Sequence, residues 1–322
     1  MGLRWRLNDM LVRSAVRMIK WTGWYEGYWN HWRGAAFERA ERRGLHILPV
    51  HFYTPIPSTR DLDDDLWADR AEAVGIDLQL DAAMSMLNQL AKCYQAEWRR
   101  IPDQSPNGSR GFSFDNRAFG RGDAEALYGM VRRLKPQRVV EIGSGYSTLL
   151  IAEALRAGHR EEEDYRCAFT AIEPYPPACL ARLPEEVTRL IVEPVQRVDM
   201  DLFTSLQAGD ILFIDSSHVV RAGSDVVFEY LQVLPRIAPG VVVHIHDIFI
   251  PDEYPRDWIF SKRFFWNEQY LLQAFMAGNS AFEVILPMHA LWRMHRPDVQ
   301  RCIPSLVEHD AAPSSFWIRK RD

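Results

Sequence analysis

Apolar and polar positions along the second half of the chain follow two alternating patterns. Short apolar runs, several of them rich in β-branched residues, predict buried strands. They lie at residues 138–142, 168–174, 189–195, 210–218 and 241–249. Segments with apolar residues at helical spacing separate several of these runs, as in the stretch from Ser147 to Gly158. Strands that alternate with helices are typical of an α/β fold with a mostly parallel sheet.

The first part of the chain has a different pattern. Apolar residues recur at helical spacing between Leu3 and Ile19, with basic residues between them, which predicts a basic amphipathic helix. The proline-punctuated segment Leu48–Pro57 is predicted to be extended, because proline breaks helices. A second amphipathic helix is predicted over Leu80–Trp98.

Turn-forming residues concentrate between Pro102 and Gly111. Such a stretch between two patterned regions predicts a domain boundary. We therefore expect a mainly helical N-terminal extension with a proline-rich extended segment, residues 1–110, and a main domain, residues 111–322.

The basic N-terminal region also carries a group of tryptophans, namely Trp5, Trp21, Trp24, Trp29 and Trp32. A basic amphipathic helix with aromatic residues can lie in a membrane interface. The more ordinary interpretation is that it packs on its own domain or on another subunit as a homo-oligomer contact. Peripheral contact of residues 1–32 with the inner face of the membrane therefore stands as one of two interpretations.

Composition narrows the class of protein. The 322 residues are 47% hydrophobic and 25% charged, as in ordinary globular proteins, and no apolar run reaches the roughly 18 residues of a membrane span. The N-terminus lacks the pattern of a signal peptide, and the four cysteines are scattered, which favours reduced thiols in the cytoplasm. A net charge of −5 argues against nucleic acid as a partner.

One short motif joins the first predicted strand to the first helix of the main domain. Glu141-Ile-Gly-Ser-Gly145 ends the strand with two glycines, which allow a tight turn and a close approach of the backbone to a ligand. Strand, glycine turn and helix open a nucleotide-binding unit, yet the third glycine of a dinucleotide fingerprint is missing. Glu173, at the tip of the second strand, can accept hydrogen bonds from both hydroxyls of an adenosine ribose.

The pattern Glu-x-Gly-x-Gly resembles the first signature of class I S-adenosylmethionine-dependent methyltransferases. With Glu173, Asp215-Ser-Ser-His218 and His246-Asp247 in the same order, the chain resembles the metal-associated branch that includes catechol, macrocin and rhamnosyl O-methyltransferases. The resemblance covers residues 112–322. It implies a Rossmann-like, mostly parallel seven-stranded sheet, with the strands at Phe282–Pro287 and Ser315–Arg319 as a C-terminal antiparallel hairpin.

S-adenosyl-L-methionine is the cofactor that this resemblance implies. The residues expected around it are Glu141, Gly143, Ser144, Gly145, Ser147, Glu173, Asp199 and Asp215. Of these, Asp199 follows the third strand, where an adenine contact can come. The loop from Ile250 to Trp258 is long, aromatic and charged, and is predicted to be a substrate lid.

Polar residues at the tips of the fourth and fifth strands are the candidate catalytic group. Asp215, His246 and Asp247 should converge, because strand tips at the carboxyl edge of such a sheet meet at the active site. Two carboxylates and an imidazole suit Mg²⁺ or another divalent cation. His246 stands where the family has a carboxylate, so a metal-free reaction with His218 as general base is the alternative.

These observations predict an S-adenosylmethionine-dependent methyltransferase that acts on an oxygen of a small-molecule or glycan hydroxyl. Asp215, His218 and His246 are the predicted catalytic residues. Transfer to nitrogen stays open. Two rival functions use the same features: a nicotinamide-dependent oxidoreductase, and a non-catalytic adaptor in which the methyltransferase fold is a platform.

Overall fold

A computed structural model describes residues 2–21, 34–46, 48, 50–68, 72–105, 111–309 and 312–321. The chain forms two compact units, Met1–Asp64 and Asp65–Asp322. Among its described residues, the first unit contains helices α1 (Gly2–Trp21) and α2 (Gly34–Glu41). The helix predicted between Leu3 and Ile19 is confirmed by α1, whose residues 9–18 are exposed.

The membrane contact of residues 1–32 stays a prediction. Trp24, Trp29 and Trp32, on which it partly depends, lie outside the described residues. In the part of the chain that the structure describes, no helix combines the length and the apolar character that crossing a bilayer needs.

The second unit is built on one seven-stranded sheet. Its strands are β1 (Arg138–Ile142), β2 (Ala168–Ile172), β3 (Val187–Ile191), β4 (Ile211–Ile214), β5 (Val242–Ile245), β6 (Phe282–Pro287) and β7 (Phe316–Lys320). They lie in the order β3-β2-β1-β4-β5-β7-β6, with β1 to β5 parallel and β7 antiparallel to both β5 and β6. The predicted α/β fold with its C-terminal antiparallel pair is confirmed.

Helices cover both faces of this sheet. They are α3 (Leu80–Trp98), α4 (Asp123–Leu134), α5 (Tyr146–Glu161), α6 (Asp201–Thr204), α7 (Asp225–Phe228), α8 (Arg256–Phe260), α9 (Glu268–Met276), α10 (Met288–Cys302) and α11 (Ser305–Glu308). Helix α7 continues into a π turn, Glu229–Val233, and short 3₁₀ turns span Asp64–Trp67, Ala178–Leu180, Val195–Arg197 and Leu234–Arg236.

The central strands β1, β4 and β5 are mainly apolar because both of their faces are buried. Val139 and Phe213 lie in the core that the sheet shares with α3, α4, α5 and α10. Val140 and Leu212, their neighbours in sequence, lie in the core on the opposite face, which includes residues of α6 and α9. Successive side chains of a strand point to opposite faces of the sheet. A strand that is covered by helices on both faces therefore has apolar residues on both.

The domain boundary differs from the predicted one. Helix α3 lies before residue 110, yet Ala83, Leu87 and Leu90 are buried in the core of the second unit. The compact unit therefore begins at Asp65 instead of near Gly111. The amphipathic pattern of α3 predicted a helix correctly but not which domain its apolar face joins.

The connection between the last two strands was also not predicted. β6 and β7 pair directly, but α10 and α11 lie between them in the chain instead of a short hairpin turn. Helix α10 contains Pro297 and a non-helical residue, His295. A proline inside a helical pattern usually ends a helix, which explains why the pattern here was missed.

The register of the parallel strands brings four strand tips together. Ile142 of β1 pairs with Ile172 of β2 and with Ile214 of β4, and Ile214 pairs with Ile245 of β5. The residue after each of these isoleucines therefore lies at the same edge of the sheet. Those residues are Gly143, Glu173, Asp215 and His246.

Gly143 fixes how closely two of these tips approach. It has a φ of +81°, and a Cβ on it would lie only 1.8 Å from the carbonyl oxygen of Asp215. A ligand was the neighbour expected from the sequence, but the backbone of Asp215 already fills that space. Gly143 is therefore required by the packing of β1 against β4.

Replacing Gly143 by alanine should lower the free energy of unfolding by about 2–4 kcal/mol, because the methyl group collides with backbone and the left-handed φ becomes strained. Urea denaturation of the purified variant measures this change. Gly145→Ala is the matched control, because nothing lies within 4 Å of a Cβ at Gly145. Equal stabilities of the two variants would contradict this role of Gly143.

Candidate active site

Glu141 holds the glycine turn from inside the protein. Its carboxyl group is fully buried and accepts hydrogen bonds from the hydroxyls of Ser147, at 2.7 Å, and Thr148, at 2.6 Å. Burial raises the pKa of Glu141 to about 8, against the opposing effect of these hydrogen bonds. Glu141 and Ser147 therefore tie the end of β1 to the first turn of α5, and direct contact of either with a cofactor stays a prediction.

The outer side of the same turn is open. Gly145 has free space on its Cβ side, and its amide donates to the hydroxyl of Thr148 at 2.9 Å. Glu173 lies half-buried beside the turn and accepts from the amides of Ser144, at 3.3 Å, and Tyr175, at 2.8 Å. A carboxylate fixed in this way next to open space can receive hydroxyl groups of a ligand.

A cavity of about 480 Å³ borders the start of α5. Tyr146 and Ala178 line it on the side of the glycine turn, and Asn116 and Arg182 line it elsewhere. This volume is in the range of small-molecule sites. Asp199 is not among its lining residues; it is exposed and accepts from the amide of Asp201 at 3.0 Å, which starts α6.

Three potential metal ligands meet at the tips of β4 and β5. One ligand atom each of Asp215, His218 and Asp247 lies within 4.8 Å of the other two. Nε2 of His218 is 3.1 Å from Asp215 Oδ1 and 3.7 Å from Asp247 Oδ2. We call these three residues the acid–histidine cluster.

His246 was predicted to be the third ligand, but it is not one of the three described residues whose ligand atoms lie within 4.8 Å of one another. Nε2 of His246 is 3.8 Å from Asp247 Oδ1, and its ring stacks on Phe119 with centroids 4.7 Å apart. His246 shares a face of its strand with His244, two residues earlier, and this alternation directs it into the core. Among the described residues, Nδ1 of His246 and both ring nitrogens of His244 have no hydrogen-bond partner.

Two members of the cluster have an unusual backbone. His218 and Asp247 have φ values of 58° and 55°, in the left-handed region that non-glycine residues seldom adopt. The amides of Asn267 and Glu268 donate to the carbonyl of His218 at 3.0 and 3.2 Å. Such strain persists only where surrounding contacts hold it, and it concentrates at functional sites.

The cluster concentrates charge away from water. Burial opposes a charge on His218, but the carboxylates of Asp215 and Glu268 raise its pKa well above the ordinary value. Burial alone would raise the pKa of Asp215. The neighbouring imidazoles of His246 and His218 outweigh this effect and hold the pKa of Asp215 below its usual range. The carboxylates of Asp215 and Glu268 therefore favour the protonated form of His218.

The protonation of His218 decides whether it can act as the predicted general base. A histidine that carries protons on both ring nitrogens cannot accept another one. His218 can act as a base only after Nε2 has lost its proton, and a divalent cation at the cluster would take the place of that same proton. Two close carboxylates require a positive charge between them. Either the proton on Nε2 of His218 or a divalent cation at the cluster can supply it.

Aromatic side chains cover His218. Trp266 lies against its ring with centroids 4.4 Å apart, and Phe264 stacks on Trp266 at 4.8 Å. Trp258 of α8 packs against both. We call Trp258, Phe264 and Trp266 the aromatic cover, which limits the access of water to one side of His218.

The loop predicted to be a lid is anchored in the core. Ile250 and Tyr254 are 3% and 1% exposed, and the indole of Trp67 donates to the carbonyl of Tyr254 at 2.9 Å. Asp252 accepts from Arg293 at 3.0 Å. These contacts argue against a lid movement of the loop as a whole.

Comparison with known proteins gives matches to parts of the chain. Residues 140–248 match the model of a family described as a methyltransferase domain. An uncharacterized protein of Archaeoglobus fulgidus is 29% identical over 183 residues, which cover 54% of this chain and 79% of that protein. A solved O-methyltransferase from Bacillus cereus, in complex with SAH, has 13% identity and a TM-score of 0.34 over 74% of this chain and 91% of its own.

The family match extends from β1 to just beyond β5, so it includes the glycine turn, Glu173 and all three residues of the acid–histidine cluster. The strand order and the antiparallel position of β7 agree with the fold that the glycine motif implied. Residues 140–248 are therefore similar to a methyltransferase domain.

Proposed function

We propose that the protein transfers the methyl group of S-adenosylmethionine to a hydroxyl oxygen of a small molecule or glycan, with a divalent cation at the acid–histidine cluster. One observation carries the proposal. Asp215, His218 and Asp247 converge within 4.8 Å at the same edge of the sheet as the glycine turn. The glycine turn, beside which the cofactor is proposed to bind, and the cluster that would activate the acceptor hydroxyl are therefore neighbours.

The cofactor is proposed to lie along the outer side of the glycine turn. The free space at Gly145 supports this position for its methionine part. Glu173, at the tip of the adjacent strand, supports a position for the ribose, whose two hydroxyls a carboxylate can accept. The cavity beside Tyr146 adds room on this side of the sheet.

The donors of the cluster fit a divalent cation. Two carboxylates favour Mg²⁺, and the imidazole also admits Mn²⁺, Fe²⁺ or Zn²⁺. When bound, such a cation lowers the pKa of an acceptor hydroxyl and fixes its oxygen. The half-buried carboxylates of Asp215 and Asp247 supply the negative charge that would hold it.

The chain's own residues would then align the reactants. S-adenosylmethionine supplies a methyl group on a positively charged sulfur, and an in-line displacement depends chiefly on alignment. Asp215 follows β4 in contact with Gly143, so it connects the cofactor turn to the cluster. The aromatic cover offers flat apolar surface beside His218, which suits an acceptor that carries a ring.

The two rival functions make different predictions for ligand binding. The family match favours methyl transfer over a nicotinamide-dependent oxidation. Isothermal titration should show binding of S-adenosylmethionine and none of NADH, whereas the reverse result would end the proposal. An adaptor would bind the cofactor without a product, so metabolites of a deletion strain should be compared with the wild type for a compound that lacks one methylene.

Glu173→Ala should weaken S-adenosylmethionine binding by about 1–3 kcal/mol, because charged hydrogen bonds to the ribose are lost. Calorimetry gives the two dissociation constants. Glu162→Ala is a matched control, because this exposed carboxylate pairs with Lys135, which lies just before β1 at the opposite edge of the sheet. Unchanged affinity in a folded Glu173→Ala protein would remove Glu173 from the site.

Asp247→Asn should lower the affinity for Mn²⁺ by roughly 10–100-fold and leave that for S-adenosylmethionine nearly unchanged, because one charged ligand is lost. Electron paramagnetic resonance of free Mn²⁺ measures the first quantity, and calorimetry the second. Asp257→Asn, an exposed aspartate on α8, is the control. A wild-type protein that binds no divalent cation would return the chemistry to His218 without a metal.

A further inference from the structure

Three consecutive residues before and at the start of α9 surround His218. Trp266 covers one face of its ring, and Asn267 and Glu268 donate their backbone amides to its carbonyl. The side chain of Asn267 also accepts from the amide of Val220 at 2.6 Å. The loop that carries His218 is therefore held from both sides by a segment about 50 residues further along the chain.

The side chain of Glu268 makes the decisive contact with the ring. Its Oε2 is 2.7 Å from Nδ1 of His218, and its Oε1 accepts from the hydroxyl of Tyr230 at 3.1 Å. Glu268 is 0% exposed. Both carboxylate oxygens thus have a fixed partner within the protein.

We propose that Glu268 is a positioning residue that keeps a proton on Nδ1 of His218 and so directs Nε2 at Asp215 and Asp247. The inference rests on the proposed function, for which it specifies how the histidine is oriented. An ionised carboxylate only accepts hydrogen bonds, so the nitrogen opposite it must be the donor. The remaining nitrogen, Nε2, is then the one that exchanges a proton or binds a cation.

The arrangement has the form of a carboxylate–histidine–metal relay. In such sites the outer carboxylate fixes the tautomer and the orientation of the ring and increases its basicity. Tyr230 adds a further contact, because its hydroxyl donates to the second oxygen of the same carboxylate. Glu268 and Tyr230 are both fully buried, so both act through His218.

The tautomer of His218 can be observed directly by ¹⁵N NMR of histidine-labelled protein, with the signal assigned from a His218→Gln variant. In the wild type, Nδ1 should carry a proton both in metal-free protein and after addition of Zn²⁺, whereas Nε2 should lose its proton when Zn²⁺ is added. A wild-type spectrum with an unprotonated Nδ1 would overturn the proposal without any variant of Glu268.

Glu268→Gln should move the proton of the neutral ring to Nε2, because the Tyr230 hydroxyl holds the carboxamide oxygen and turns its NH₂ group toward Nδ1. Zn²⁺ affinity, measured by competition with a chromophoric chelator, should fall roughly 10–100-fold. Tyr230→Phe keeps the carboxylate and should retain the wild-type tautomer. A Glu268→Gln protein with wild-type tautomer and Zn²⁺ affinity would contradict the role.

S-adenosylmethionine affinity separates this proposal from the proposed function. Wild type and Glu268→Gln should bind the cofactor equally, because the fully buried side chain of Glu268 contacts His218 and Tyr230. If the wild type binds no S-adenosylmethionine, the proposed function fails irrespective of the NMR result. If binding is normal but Nδ1 is unprotonated, only the role of Glu268 fails.

Discussion

The structure of the site depends on two half-buried carboxylates, Asp215 and Asp247, that lie around one buried imidazole. Like charges this close disfavour ionisation of both groups unless a positive charge lies between them. Here Nε2 of His218 lies within 3.7 Å of both side chains. The carboxylate of Glu268 lies beside Nδ1, on the opposite side of the ring. Charge compensation explains why a histidine is buried here at all, and why two residues keep left-handed backbone conformations.

The sheet holds these charged side chains at fixed positions relative to one another. Asp215 follows β4, and its carbonyl lies where a side chain at Gly143 would be. Asp247 comes from the end of β5 and accepts from the hydroxyl of Ser314 at 3.1 Å, just before β7. The cluster is therefore held by three neighbouring strands and by α9. Displacement of one strand tip would separate charges that cannot be left unpaired at low cost.

Much of the fold was readable from the sequence because its signals are local. Apolar runs gave β1, β4 and β5, and the glycine turn gave the start of α5. The parallel arrangement then placed Asp215 and Asp247 at one edge by a general rule. The third strand begins and ends earlier than predicted, at Val187 and Ile191, because its exposed residues blur the apolar pattern.

The position of His218 between the two carboxylates could not be predicted in the same way. His246 is nearer to Asp247 in sequence, but strand alternation turns its ring toward Phe119. His218 itself has a left-handed backbone conformation in the loop after β4. No local sequence pattern predicts a positive φ at a histidine. Glu268 and Ser314 come from distant parts of the chain, so their contacts depend on tertiary packing alone.

A crystal structure with S-adenosylhomocysteine tests the arrangement of the site most directly. The ribose hydroxyls should lie at the carboxylate of Glu173, the amino-acid part beside Gly145, and the sulfur should face the acid–histidine cluster. A sulfur directed away from Asp215 and His218, or a ligand bound elsewhere on the chain, would contradict the assignment of the cluster as the centre of methyl transfer.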